Sequence, residues 1–309
     1  MVESISVIVP TFNSSASLPR AIESIREQNW PGLDIVVVDD GSTDDTSATM
    51  KCLAKGDLKF VAQCNRGPGA ARNRGIMVSK SKWVAFLDAD DFWLPGKLTA
   101  QFDLLRSDSA FRFCYSDSVR QMTDGVRSIH RPRGTSSNIF SSLLAGPQFD
   151  LPTVIVRRDC FQRVGLFAPE LRTGEDWDMW LRLSASYRGC YIPKPLIFHY
   201  VSGDPNKYPM DVYERCQMRI LERLFSDQEI ARYWPQLSRH RGKIYSWHRA
   251  VLAKSYLFQR QWCSFLRLAV ASIQSHPLGF YFLARKWGTA EKWPEFAGTS
   301  ANEGRCKAV

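Results

Sequence analysis

The sequence predicts an α/β fold: an open, mostly parallel sheet flanked by helices, followed by a helical carboxy-terminal extension. Three observations point there. Short β-branched runs alternate with helix-periodic stretches, the runs are apolar on both faces as buried parallel strands are, and polar clusters fall at the ends of the runs.

In order, "ISVIVP" (5–10) is the first strand and "DIVVVDD" (34–40) the second. Between them "SLPRAIESIREQ" (17–28) spaces Leu18, Ala21, Ile22 and Ile25 as one helical face, which completes a βαβ unit. A helix over 43–55, a strand over 58–63, a helix over 69–79 and a strand over 83–88 continue the alternation. From 97 the pattern is mixed: a helix "KLTAQFDLLRS", a strand "FRFCYSD", then a polar basic loop over 128–138. "IFSSLLAG" reads as a short helix and "LPTVIVRRDCFQRVGLF" as strand then helix. Residues 173–185 form a helix with Trp177, Trp180, Leu181 and Ser184 on one face. A Gly/Pro-containing connector over 202–209 follows "KPLIFHY", the chain is helical to about 290, and the last dozen residues read as a frayed end. The expected division is a catalytic-type domain over 1–209 and a basic, aromatic-rich helical region over 210–309.

Composition narrows the class. The chain has 309 residues, 44% of them hydrophobic and 23% charged, as an ordinary globular protein does. No apolar run reaches the length of a spanning helix, and "MVESISVIVP" lacks the basic start of a signal peptide. Eight scattered cysteines show neither CxxC pairs nor Cys/His metal spacing, so reduced thiols in a cytoplasmic protein are expected. The net charge is +10, of which residues 211–309 supply +8.

Four polar clusters carry candidate chemistry. "WVAFLDADDFW" (83–93) ends a buried strand in three acids within four positions, and like charges so close need an offset. Asp88 and Asp90 together suit a hard cation such as Mn2+ or Mg2+, or else form an acidic turn. In "VVVDDGSTDDT", Asp39 could accept from a base N–H or a ribose hydroxyl, while Ser42, Thr43 and Asp44 are good helix caps. "GPGAARNRG" sets Arg72 and Arg74 beside a glycine-rich turn, but lacks the pattern of a P-loop. Arg72 could fork onto a phosphate or a base edge, and Arg74 could pair with the Asp cluster. "GEDWDMW" puts Glu175 and Asp176 in the first turn of a helix, where the dipole favours the ionised carboxylate a general base needs.

Taken together, Pro-Thr-Phe-Asn, Asp-Asp-Gly-Ser, Ala-Arg-Asn-x-Gly, Asp-Ala-Asp-Asp and Gly-Glu-Asp-x-Asp-x-Trp resemble glycosyltransferase family 2, with its GT-A fold. The resemblance covers residues 4 to about 203. It implies an inverting sugar transfer from a nucleotide-diphosphate-sugar donor, helped by a divalent cation. It implies that Pro10, Thr11 and Asn13 lie beside the nucleotide, that Asp39 accepts from its base and that Arg72 lines the same pocket. Asp88 would contact ribose or a metal-bound water, Asp90 the cation, Asp176 the acceptor's hydroxyl proton, and Glu175 would orient the acceptor. Uridine diphosphate is the commonest donor nucleotide in such families.

The family often carries an Arg and a His after the "PL" of "KPLIFHYVSGD"; here Tyr200 and Ser202 take those places and His199 is shifted, so that a packed or surface histidine is expected, with contact to the cation or diphosphate as the alternative. "FQRQWC" (258–263) departs from the Gln-x-x-Arg-Trp of processive synthases, because Gln261 precedes Trp262, and a single-addition enzyme is expected. Two other classes stay open: a sugar-nucleotide-binding partner without catalysis, and a nucleotidyltransferase. The first is disfavoured because binding alone needs no base. The second usually has a Gly-rich loop where this chain has "PTFNSSAS".

In the carboxy-terminal third, ten basic residues stand against the single acid Glu291 between Arg239 and Lys292, interleaved with aromatic residues. Such helices suit an anionic membrane surface at the cytoplasmic face, and with it a saccharide or lipid-linked saccharide acceptor. They equally suit packing against the catalytic domain or against a second copy in a homo-oligomer. No nucleic-acid-binding motif accompanies the charge, so nucleic acid is not expected as a partner.

Overall fold

The run ISVIVPT forms β1 (Ile5–Thr11), and all seven of its residues are buried. It is the inner strand from which the rest of the sheet is laid out. The computed structural model describes residues 3–54, 56–133, 139–201 and 208–284. In chain order the remaining elements of the parallel half are α1 (Leu18–Arg26), β2 (Leu33–Asp39), α2 (Thr46–Leu53), β3 (Leu58–Ala62), α3 (Pro68–Val78) and β4 (Trp83–Phe86). Then come β5 (Phe92–Trp93), α4 (Lys97–Ser107), β6 (Phe111–Gln121), β7 (Arg127–His130), α5 (Ile139–Leu143), β8 (Ile155–Arg157), α6 (Cys160–Val164), α7 (Glu175–Ser186) and β9 (Arg188–Tyr200). Five helices close the described chain: α8 (Met210–Ser226), α9 (Gln228–Tyr233), α10 (Arg241–Phe258), α11 (Trp262–Ser275) and α12 (Gly279–Ala284).

The sheet runs β3-β2-β1-β4-β8-β6-β9-β5, with β7 on β6. The pairings β3–β2, β2–β1 and β1–β4 are parallel, as the βαβ pattern requires. The second half is mixed: β4–β8, β8–β6, β6–β7 and β9–β5 are antiparallel, and β6–β9 is parallel. The reading of 128–138 as a loop is corrected in part, because Arg127–His130 pairs with β6 through Ser118–Gln121. Its remainder at 134–138, most of the 202–209 connector and the expected frayed end lie outside the described residues.

Helix α1 buries Leu18, Ala21, Ile22 and Ile25, the face its spacing marks. They join Ile5, Val7, Val9, Ile35 and Val37 in one apolar cluster. On the other side of the sheet Val36, Val38 and Ala71 form a second. Each valine, leucine or isoleucine among them contributes about 1.5–3 kcal/mol on burial. Helix α3 approaches the sheet closely at Gly75, where a Cβ would stand 2.3 Å from Ile8 Cγ2. Any larger residue there would push α3 away from β1.

By compactness the chain divides into two units. The first comprises Met1–Ile139, Pro147–Met179 and Tyr187–Asp204; the second comprises Phe140–Gly146, Trp180–Ser186 and Pro205–Val309. Within the second, the Trp234 indole N–H donates to Ala185 O at 3.1 Å and its ring lies 4.5 Å from Phe140. Leu252, Ala253, Tyr256, Leu268 and Ala269 form its apolar cluster between α10 and α11. Among the described residues, no helix is long and apolar enough to cross a membrane.

Candidate active site

The parallel strands end side by side, and their polar exits gather in the first unit. At β1, Ile8 O still accepts from Leu87 N at 3.0 Å on the β4 side. Two residues on, Pro10 offers no N–H on that side, and β4 has already ended at Phe86. A proline is tolerated where the ladder stops, so the sheet opens there without a broken bond. Thr11 is buried with its Oγ1 unpartnered among the described residues. Asn13 takes a left-handed backbone at φ 50°. Its side-chain oxygen accepts from Thr43 N at 2.8 Å and its N–H donates to Ser42 Oγ at 2.9 Å, which fastens the exit of β1 to that of β2.

The two acids after β2 divide their work. Asp39 is buried and one carboxylate oxygen accepts from Ser42 N at 2.9 Å; no hydrogen bond engages the other among the described residues. Asp40 is committed to the fold: it accepts from Gln63 Nε2, Arg66 N and Gly67 N at 2.7–2.9 Å. It thereby holds the turn that starts α3. Gly67 sits at φ +88°, a conformation glycine adopts without cost.

Arg72, on α3, is the centre of the cluster. It is 5% exposed. Its Nη2 donates to Asp88 Oδ1 at 2.7 Å and its Nη1 to Glu175 Oε1 at 2.6 Å. The guanidinium is thus spent on two carboxylates, one at the end of β4 and one at the start of α7. Arg72, and not Arg74, is the arginine that pairs with Asp88. Beside it, the Asn73 amide makes a reciprocal pair with Phe167, donating to its O at 2.8 Å and accepting from its N at 2.9 Å. That pair fastens the segment ahead of α7.

The three acids at 88–91 have three environments. Asp88 has a side chain 30% exposed and bonded to Arg72. Asp90 is exposed, and its main-chain oxygen accepts from Arg20 Nη2 at 3.1 Å. Arg20 also donates to Tyr200 Oη at 3.1 Å and stacks over the rings of Phe92 and Tyr200. Asp91 is fully buried and accepts from His199 Nδ1 at 2.8 Å and Tyr200 N at 2.9 Å. Burial alone would lower His199, but the bond and charge of Asp91 outweigh it and push the imidazole up to about 9. Burial in turn raises the Asp91 carboxyl to about 7, so the two groups compete for one proton across this bond. His199 is half-buried, with the third acid of the cluster as its partner.

Glu175 is buried on Arg72, and Asp176 follows it at the start of α7. Burial, reinforced by the Glu175 charge, pushes the Asp176 carboxyl up to about 7, although part of the residue reaches solvent. This corrects the expectation of a carboxylate favoured by the helix dipole, because desolvation and a like charge outweigh the helix terminus.

The donor set at 88–90 suits a hard divalent cation. It consists of carboxylate oxygens only, with Asp90 exposed and Asp88 partly so. Among the described residues no group of three or more His, Cys, Asp or Glu is arranged to hold a metal alone. Two protein carboxylates are what Mg2+ or Mn2+ needs when phosphate and water fill the other positions.

The sequence motifs assign no role to Asn73, Asp40, Asp91 or Arg20. Asn73 and Asp91 stood inside quoted motifs, next to residues that were assigned. Arg20 had no local signal, because its partners lie 70 and 180 positions away.

Comparison with known proteins adds the lineage. The model of "Glycosyl transferase family 2" matches residues 6–164. An uncharacterized glycosyltransferase of Rickettsia felis is 30% identical over 240 residues, 75% of this chain and 38% of its own; the chain thus spans little more than a third of that relative. A putative teichuronic acid biosynthesis glycosyltransferase, TuaG of Bacillus subtilis, is 29% identical over 58% of this chain and 71% of its own. Among solved structures, S. aureus TarS 1-349 in complex with UDP-GlcNAc superposes with a TM-score of 0.64 at 22% identity, covering 91% of this chain and 83% of that one. A mannosyltransferase of Pyrobaculum calidifontis in complex with GDP-Man and Mn2+ superposes at 0.60 with 20% identity, covering 92% and 75%. At these identities the structures establish the fold.

Proposed function

From the premise that this chain belongs to glycosyltransferase family 2, we propose that it is a divalent-cation-dependent, inverting transferase. It would move a hexosyl or related group from a nucleotide-diphosphate-sugar to a hydroxyl of a saccharide or lipid-linked saccharide. The observation that carries this reading is the Arg72 bridge, which ties Asp88 at the strand ends to Glu175 beside Asp176.

The chain's own residues divide the task. The exits of β1 and β2, with Pro10, Thr11, Asn13 and Asp39, form the nucleotide side, and the carboxylate oxygen of Asp39 not bonded to Ser42 is the acceptor for a base N–H. Asp90 and Asp88 would hold Mn2+ or Mg2+, which would neutralise charge on the departing diphosphate. Arg72 holds Asp88 and Glu175 in place without itself reaching the donor. Glu175 orients the acceptor. Asp176, with a carboxyl raised to about 7, takes the hydroxyl proton near neutral pH. The hydroxyl then attacks from the face opposite the diphosphate, so one displacement inverts the anomeric centre.

A uridine diphosphate donor is favoured by the TarS likeness and a cation by the mannosyltransferase likeness. Surface-polymer assembly is favoured by TuaG. The free cysteines of the described chain fit a cytoplasmic reaction, and an acceptor carried on lipid would bring the enzyme to a membrane surface.

Donor hydrolysis and transfer in Mn2+ test the reading, with wild type against Asp90→Ala and Asp176→Asn. Each substitution is expected to lower the rate by about 10²–10⁴. A donor-binding protein without catalysis would bind nucleotide and turn nothing over. Activity indifferent to both substitutions would refute the site.

A further inference from the structure

Helix α11 has two unlike sides. Leu268 and Ala269 pack against Leu252, Ala253 and Tyr256 of α10, and Ser272 Oγ donates to Ser246 O at 2.8 Å. The opposite side carries Trp262, Leu266 and Val270 at four-residue steps, 60%, 58% and 51% exposed. At the turn that leads into it, Phe258 is 87% exposed and Leu257 is also exposed. A solvent-facing helix normally turns polar residues outward, and a contiguous apolar stripe marks a surface that something covers.

The charge of this region selects the occupant. Ten basic residues stand against one acid between Arg239 and Lys292. Among the described residues, 239–284 carry seven basic side chains and no acid, and two copies of so basic a region repel each other, whereas an anionic surface attracts it. Arg260 stands at the turn between Phe258 and Trp262, at φ 58°, and forms no ion pair among the described residues. Other nearby cations are already engaged: Arg267 by Glu214 at 2.6 Å, Lys254 by Phe282 O and Arg249 by Ser275 Oγ. A tryptophan, a phenylalanine and two aliphatic residues beside an available arginine match a bilayer interface, where aromatic rings sit at headgroup depth and arginine meets lipid phosphate.

We propose that the α10–α11 turn and the outer side of α11 dock on an anionic bilayer. Phe258, Trp262, Leu266 and Val270 enter the interface and Arg260 pairs with headgroup phosphate. The helix lies in the interface plane and does not cross it. Docking is independent of the catalytic reading, since no residue of the Arg72 cluster takes part.

Sedimentation of the full chain with vesicles tests this, using mixed phosphatidylcholine and phosphatidylglycerol against phosphatidylcholine alone. Wild type is expected to sediment with the mixed vesicles and to be released by salt. Trp262→Glu with Leu266→Glu should weaken partitioning about tenfold or more, and Arg260→Glu should weaken it while reducing the salt dependence. All these side chains are exposed, so an unchanged thermal unfolding curve serves as the folding control. Wild type that stays in the supernatant overturns the proposal, as does wild-type sedimentation equal to that of the variants. So does a wild-type dimer, by analytical ultracentrifugation, that Trp262→Glu dissociates, because the face would then belong to a second copy.

Discussion

Arg72 is the residue on which the first unit's chemistry turns. A buried guanidinium held by Asp88 and Glu175 is stable only while both carboxylates remain. Removing one member of a buried pair strands the others and costs about 3–5 kcal/mol. Arg72→Met is therefore expected to lower stability in urea unfolding by about that amount, together with activity. Arg72→Lys should rescue little, because one ammonium cannot reproduce two forked bonds. Asp176 behaves in the opposite way. Its carboxyl is raised from the ordinary value of 3.8 to about 7, so stability falls as pH rises through that interval and the full cost is present above about 7. Asp176→Asn should leave stability equal or higher at pH 8 while the transfer rate collapses. In wild type, kcat/KM should rise with pH through about 7 as the base ionises, and the limb should vanish in the variant. A rate flat from pH 5.5 to 8 would remove Asp176 from the role of base.

At the level of elements, α10 offers a titration that has nothing to do with catalysis. His248 is buried, its Nε2 hydrogen-bonds Leu144 O at 2.9 Å, and its Nδ1 meets the Gln217 amide. Burial lowers the imidazole to about 4. The ring is neutral in the fold but protonates near its ordinary 6.5 in the unfolded chain. Stability is thus full above 6.5 and is lost as pH falls toward 4, by about 3 kcal/mol over that interval. Urea unfolding at pH 7 and pH 4.5 should show the loss, and His248→Gln should flatten it. Elements were also the level at which the sequence was most legible. Periodicity located α1, α3 and β1 to β4 within a few residues, because apolar spacing is a local property. It missed β5, and it missed β7 because Arg127–His130 has no buried face and forms only by pairing with β6. The strand at β8 was legible in "LPTVIV", but its antiparallel pairing, like that of β5, is a long-range contact of two or three residues that leaves no local signal.

For the molecule as a whole, the candidate site was legible as a set of motifs and illegible as a set of bonds. Asp88, Glu175 and Arg72 could each be singled out from their own stretch. That Arg72 serves both carboxylates depends on α3 and α7 meeting at the end of β4, across 103 positions of chain. The same holds for Asp91, whose partner His199 lies 108 positions on. The proposed function has one junction: a nucleotide side at the strand ends, an acceptor side at the start of α7, and a cation that Asp90 and Asp88 would hold between donor and protein. Crystals grown with uridine diphosphate and Mn2+ and measured for anomalous scattering examine that junction directly. The account predicts a manganese peak on Asp90, bridged to the diphosphate, with the Asp176 carboxylate facing the same pocket. A peak held elsewhere, or a bound nucleotide diphosphate that leaves Asp88 and Asp90 without metal, would contradict it.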